Sequence, residues 1–214
     1  MDLKGYIVDK SKELNIDIIG FTDCEPLSSL EEYLISRKNE DRQTEFEEED
    51  IKIRIDPKLI FPSCKTIILI GLSYNNEYNQ PVDYKIKGKL SKSTWGLDYH
   101  LVLKDRIEKL IEEIKKVKDF KYKYYVDTGP LIDRELAWKA GIGYYGKNCS
   151  IINDRYGSFI FIGYILTDLY IPMDFQVLEG KCGECDLCLK ACQTGALEGP
   201  YKFKGLPGLI LKIY

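Results

Sequence analysis

KTIILIGLSY, residues 65–74, is the stretch on which the fold turns. Its apolar run is continuous and strand-length, with a Pro-Ser-Cys approach and an Asn-rich exit. That pattern predicts a central buried strand that anchors the core. On the N-terminal side, Leu3, Ile7 and Leu14 form a helical face behind Asp2, a capping residue, and IDIIGFTD (16–23) reads as a short strand. A second helix is expected over residues 28–37. NEDRQTEFEEEDIKIRIDP (39–57) is a charge run, read as a solvated face or loop.

On the C-terminal side, residues 75–96 make a Tyr-, Asn- and Lys-rich connection, long enough to suggest function or mobility. KIKGKLSK (85–92) is its basic segment. From Asp98 onward Leu103, Ile107, Leu110, Ile111, Ile114 and Val117 form the best helical stripe in the chain. FKYKYYVD (120–127) alternates as a strand and delivers Asp127 at its end. TGP then breaks the pattern, and a helix is expected over 131–140, stopped by Gly141. YYGKNCSIIN and GSFIFIGYILTD flank the turn residues 154–157 and read as a β-hairpin. Helices and strands alternate, so the expected class is α/β. The expected domains are a sheet domain with flanking helices over 1–172 and a small module over 173–214.

The 214 residues are 44% hydrophobic and 30% charged, with a formal net charge of −3, an ordinary globular balance without global attraction for phosphate. Charge interrupts every apolar stretch of the N-terminus, against a signal peptide. No run reaches the roughly 18 apolar residues of a membrane span. A cytoplasmic protein with no membrane partner is expected, and with it reduced cysteines rather than a disulfide framework.

Four of the seven cysteines, Cys182, Cys185, Cys188 and Cys192, have the spacing C-x2-C-x2-C-x3-C. A tight loop of this kind wraps three thiolates around one face of a 4Fe-4S cubane. Structural zinc instead takes two pairs a dozen or more residues apart, so iron–sulfur is the favoured metal. In two-cluster ferredoxins the fourth cysteine serves the other cluster, and no second motif follows here. Cys24, Cys64 and Cys149 are either recruits for a fourth ligand or small core side chains.

Set beside VDTGPLIDRELAWKAGIGYYGKN (126–148) and GSFIFIGYILTD, the cysteine run resembles the epoxyqueuosine reductase family. IGFTD, IRIDP, GLDYH and CQTGALEGPY extend the likeness over nearly the whole chain. The resemblance implies an α/β cobalamin-binding domain followed by a ferredoxin-like iron–sulfur module, here a half module. It also implies reduction of epoxyqueuosine to queuosine in tRNA, the final step of queuosine biosynthesis, with cobalamin, 4Fe-4S clusters and a donor such as flavodoxin or ferredoxin.

The family's general acid falls on Asp127, whose alternative reading is a cap for the following helix. A free aspartate has a pKa near 3.9, so an acid working near neutrality needs a pocket that retains its proton. Arg54 matches a family arginine near the corrin, with a surface salt bridge as the alternative. Tyr99 and His100 match an Asp-Tyr-His element near the active site, and His100 is either a proton relay or structural. Lys147 and Asn148 enter a hairpin that the family's corrin pocket uses. Ile151 and Ile162 are either ring contacts or core.

Asn148 stands where many relatives have His, Gly129 where many have Ala, and Lys92-Ser93-Thr94-Trp95 where an Arg-Tyr pair is commoner. YKFKGLPGLILKIY (201–214) leaves the family pattern after Lys204, which suggests a shortened chain. The alternative function is therefore a non-catalytic or electron-carrying 4Fe-4S protein derived from the family. A reductive dehalogenase relative is a more distant reading.

Overall fold

The computed structural model describes residues 2–44, 46–77, 88, 90–173 and 178–204. Half of the basic segment at 85–92 and all of 205–214 lie outside the described residues. The expected domain boundary after residue 172 abuts 174–177, which are also outside them.

Helix α1 (Leu3–Glu13) starts where the Asp2 side chain accepts a hydrogen bond from the Lys4 amide (3.1 Å), as a capping aspartate should. Strand β1 (Ile18–Thr22) follows. Next come a 3-10 turn (Ser28–Leu30), α2 (Glu31–Asn39), α3 (Ile51–Ile55) and α4 (Pro57–Ile60). The decisive stretch forms β2 (Thr66–Ser73). A second 3-10 turn (Lys92–Thr94) leads to α5 (Tyr99–Lys115), β3 (Tyr122–Val126) and α6 (Asp133–Lys139). After them come β4 (Tyr144–Tyr145), β5 (Ile151–Ile152), β6 (Ile160–Thr167), α7 (Leu187–Ala191), β7 (Leu197–Gly199) and β8 (Lys202–Phe203).

The main sheet has the order β1-β2-β6-β3, and every neighbouring pair is antiparallel. β2 is central, as its apolar run requires. Antiparallel sheets commonly alternate apolar and polar residues, but β2 does not, because both of its faces are covered. Ile67 and Leu69 pack with Leu34, Ile55, Leu136 and Ile142 on one face. Ile68 and Ile70 pack with Ile7, Leu103, Ile107 and Leu110 of α1 and α5 on the other.

Several expectations are corrected. β6 does not pair with β5 as a hairpin. β5 pairs with β4, the turn is closed by an Asn153–Gly157 bridge, and β6 enters the main sheet between β2 and β3. Val117 lies past the end of α5 and is exposed. The charge run is not simply solvated. Glu47 inside it is largely buried between Arg37 (3.0 Å) and Arg54 (2.8 Å), and the run contains α3. Cys24 and Cys64, expected reduced, form a disulfide whose residues are both buried, so neither is available to a cluster.

Candidate functional site

β2 and β3 both oppose β6, so they run in the same direction, and their carboxyl ends meet the start of β6 at one edge of the sheet. Tyr74 follows β2, Phe159 precedes β6, and the Tyr74 amide donates to the Phe159 carbonyl (3.0 Å). α5 begins at the same edge. Its Asp98 cap accepts from the His100 amide (2.9 Å), which fixes the direction in which Tyr99 and His100 project.

Tyr99 stacks on Phe161 with centroids 4.1 Å apart and planes 8° from parallel, and Phe161 packs on Tyr74 at 4.3 Å. The burial of β6 changes along its length. Ile160, Phe161 and Ile162 are half-exposed, and the remaining five residues are buried. This end of the sheet therefore carries a half-exposed apolar surface, with Phe161 on the α5 face and Ile160 and Ile162 on the other.

Asp127 stands beside that surface. Its φ of +58° lies in the left-handed region, and the Thr128 amide donates to the Val126 carbonyl (2.6 Å), closing a three-residue turn on Asp127. Such backbone strain is tolerated where the surroundings hold it. Tyr99 supplies one hold by donating its hydroxyl to Asp127 Oδ2. His100 Nε2 is 3.7 Å from the same oxygen, and its Nδ1 is 2.9 Å from Asp98 Oδ1. Asp127 is not a helix cap: α6 is preceded by Ile132, which makes no side-chain cap. The structure thus brings Asp127, Tyr99 and His100 together.

The other expected residues make contacts of their own. Arg54 is buried against Glu47 without hydrogen-bond alignment, which replaces the surface salt-bridge alternative with a buried pair. Burial alone would push the Glu47 carboxyl up, but the charges of Arg37 and Arg54 outweigh it and hold Glu47 below the usual carboxylate range. Lys147 Nζ donates to the Gly183 carbonyl (2.5 Å) on the cysteine loop, and Asn148 Oδ1 accepts from the Ser150 amide (3.2 Å). Ile151 is buried in the core, and Ile162 is half-buried against it. Sequence reasoning passed over Tyr74, Phe159 and Phe161. The alternating Phe159 and Phe161 were legible, but assigning them to a hairpin hid their place in the main sheet.

The cysteine loop docks on the β4–β5 turn and on the turn that follows β5. Besides the Lys147 contact, the Tyr201 amide donates to the Lys147 carbonyl (3.0 Å), and Lys181 pairs with Asp154 (2.6 Å). The Cys185 amide donates to the Cys182 carbonyl (2.8 Å), which tightens the first part of the loop. Cys192 Sγ accepts from the Leu197 amide (3.3 Å). That bond, followed by Thr194, holds the thiol below its usual range and favours the thiolate a metal needs. Burial pushes the Cys149 thiol, half-buried in the β4–β5 turn, above its usual range. Among the described residues no three of the metal-binding types already form a cage. The donor set fits an iron–sulfur cluster chemically: four thiols on one short loop, one with an amide N–H aimed at its sulfur.

The cavity of about 330 Å³ beside Cys24 and Cys64 lies at the opposite end of the sheet and contains none of the trio.

Comparison with known proteins now bears on this arrangement. The profile described as Epoxyqueuosine reductase QueG, DUF1730, matches residues 54–128. An epoxyqueuosine reductase of Leadbetterella byssophila is 33% identical over 209 residues, covering 95% of this chain and 67% of that protein. The chain belongs to the epoxyqueuosine reductase family. The Bacillus cereus epoxyqueuosine reductase is 41% identical over 199 residues, 91% of this chain and 52% of that protein. The structure of epoxyqueuosine reductase from Streptococcus thermophilus superposes with a TM-score of 0.89 at 41% identity, covering 95% of this chain and 55% of that one. The chain thus spans about half the length of most of these relatives.

One family structure, at 36% identity and a TM-score of 0.88, is a complex with an epoxyqueuosine-modified tRNA stem loop. Another, from Bacillus subtilis, has its catalytic aspartate loop swung out of the active site. A reductive dehalogenase at 13% identity and a TM-score of 0.55 shares the mixed α/β fold alone. No described helix is long and apolar enough to cross a membrane.

Proposed function

We propose that this chain reduces epoxyqueuosine in tRNA to queuosine at the open end of its sheet, with Asp127 as the general acid. The observation that carries the reading is Asp127 itself, held in a strained turn by Tyr99, near His100 and beside a half-exposed apolar surface. The reaction removes the epoxide oxygen as water, taking up two electrons and two protons and leaving a carbon–carbon double bond. When bound, cobalamin and the 4Fe-4S cluster supply the electrons, drawn from a low-potential flavodoxin- or ferredoxin-type donor. Phe159 and Phe161 would offer the surface on which the corrin rests, with Ile162 on the other face of the strand. Arg54, Lys147, Asn148 and Ile151 are proposed at its margin, through which Lys147 also connects the pocket to the cysteine loop. Cys182, Cys185, Cys188 and Cys192 hold the cluster in a ferredoxin-like half module over 173–214, and 1–172 forms the cobalamin and substrate domain.

Asp127 would deliver a proton from its carboxyl to the epoxide oxygen as negative charge develops there. The Tyr99 hydroxyl then donates to the carboxylate left behind, and His100 is placed to return a proton from solvent. The loop around Asp127 moves, as in the Bacillus subtilis relative, to admit the modified base. A cytoplasmic setting follows from the tRNA substrate.

Anaerobic reconstitution tests this reading through iron, sulfide and corrin content together with turnover of a modified stem loop. Serine at Cys182, Cys185 or Cys188 should abolish the visible charge-transfer absorption of thiolate-bound iron. Corrin binding and turnover support the proposal. A cluster without corrin affinity or turnover would favour a plain electron-transfer protein, and stoichiometric zinc in place of iron would overturn the cluster assignment.

A further inference from the structure

His100 is the chain's only histidine, and its ring is held on an edge and on a face at the start of α5. Asp98 Oδ1 accepts twice from this one residue, from the His100 amide and from ring Nδ1, both at 2.9 Å. The amide bond first, and the ring bond second, hold the Asp98 carboxyl below its usual range, so it is charged at neutral pH. A charged carboxylate only accepts, and Nδ1 must therefore carry the hydrogen between them. On the ring face lies Tyr99, with centroids 4.0 Å apart. Phe161 backs Tyr99 at 4.1 Å, and Tyr74 backs Phe161 at 4.3 Å. With one edge pinned and one face stacked, Nε2 stands at the opposite edge, 3.7 Å from Asp127 Oδ2, the oxygen that also accepts from the Tyr99 hydroxyl. That gap is only about half an ångström beyond ordinary hydrogen-bond reach.

An imidazolium has two hydrogens to give, and the partner of one nitrogen decides which of them leaves. We propose that Asp98 is a positioning residue for proton return: it keeps the hydrogen on His100 Nδ1, so that every proton the ring takes from solvent enters and leaves through Nε2, on the Asp127 side. Once Asp127 has given up its proton, the Nε2–H bond of the imidazolium breaks and an O–H bond forms on the Asp127 carboxylate. The ring is left neutral with its hydrogen on Nδ1, and water protonates Nε2 again. Without the Asp98 bond the neutral ring can carry its hydrogen on Nε2 and take up the next proton at Nδ1, away from Asp127. Asp98 touches neither substrate nor the reacting oxygen and acts through His100. The catalytic meaning of this arrangement rests on Asp127 being the acid, but the form of the ring does not.

The experiment uses the full chain labelled with nitrogen-15 at histidine, where a single residue gives a single pair of ring signals. In a neutral imidazole the protonated and the bare nitrogen differ widely in chemical shift, so the spectrum reads the tautomer directly. At a pH of about 9, above the ordinary histidine value of about 6.5, the wild type should show Nδ1 protonated and Nε2 bare. Asp98→Ser keeps a good helix cap but is too short to reach the ring, and its His100 should move largely to the Nε2–H form. Asp98→Asn keeps both the cap and an oxygen at the right distance, and should retain mostly Nδ1–H. Turnover of a modified stem loop by the corrin- and iron-loaded Asp98→Ser should fall about tenfold. A wild-type ring with its hydrogen on Nε2 overturns the proposal. So does an Asp98→Ser variant with the wild-type spectrum, which would make Asp98 a helix cap alone, or one with the wild-type rate. Should Asp98→Ser not fold, the wild-type spectrum decides without it. The wrong tautomer in an active chain removes Asp98 and leaves the Asp127 reading standing, whereas the right tautomer in a loaded chain without turnover does the reverse.

Discussion

The same strands build both ends of the main sheet, yet the ends are finished differently. At one end Thr22, Thr66 and Thr167 are buried, and the Thr66 and Thr167 hydroxyls accept from the Ile171 and Leu169 amides (3.0 and 3.1 Å). The Cys24–Cys64 disulfide ties the exit of β1 to the approach of β2 there. At the other end Leu72, Ser73 and Ile160 to Ile162 are half-exposed, and a strained aspartate stands over them. A sheet fastened at one end can leave the other uncovered, which is where a ligand has something to cover.

The largest effect on stability is expected in the closed part of the molecule. Glu47→Gln leaves Arg37 and Arg54 buried without their counter-charge, and should cost about 3–5 kcal/mol in urea unfolding at neutral pH. Because Glu47 is held below its unfolded value, its contribution is fully present above a pH of about 4.3 and is lost as pH falls through the folded pKa. Wild type and variant should therefore converge in acid. A gap that persists there would assign the cost to packing rather than charge.

Next comes the sealed end. Replacing both Cys24 and Cys64 by serine frees a connection of 40 residues and should cost about 2–4 kcal/mol, while corrin and iron loading stay unchanged. Loss of corrin binding in that variant would break the contrast between the two ends. Smallest in stability is Phe159→Ala at the open end. The side chain is already 38% exposed, so the change should cost under about 1 kcal/mol yet weaken corrin binding measurably by absorbance titration. A large stability loss there would mean that this end is core rather than site.

The sequence displayed the parts of this design that depend on local pattern. β2, the α5 stripe up to Ile114 and the Asp2 cap are local, and all were readable. The partner of β6 was not, because both a hairpin and a sheet crossing are compatible with the same alternating residues, and only packing chooses between them. The Glu47 cluster was hidden for the same reason: in a run of acidic residues nothing local marks the one that turns inward to two arginines. Asp127 was legible as a strand-end carboxylate, but its neighbours Tyr99 and Phe161 are brought in from distant segments. The disulfide was missed because the reading assumed a reducing compartment.

The account stands most directly on one measurement: single-turnover reduction of an epoxyqueuosine-modified stem loop by the corrin- and iron-loaded chain, comparing wild type with Asp127→Asn. Asparagine keeps the shape of the side chain and its bond from Tyr99 but has no transferable proton. The variant should bind corrin as wild type does and react about 100-fold more slowly or worse. A variant that binds corrin and keeps the wild-type rate, or a fully loaded wild type that turns over nothing, would contradict it.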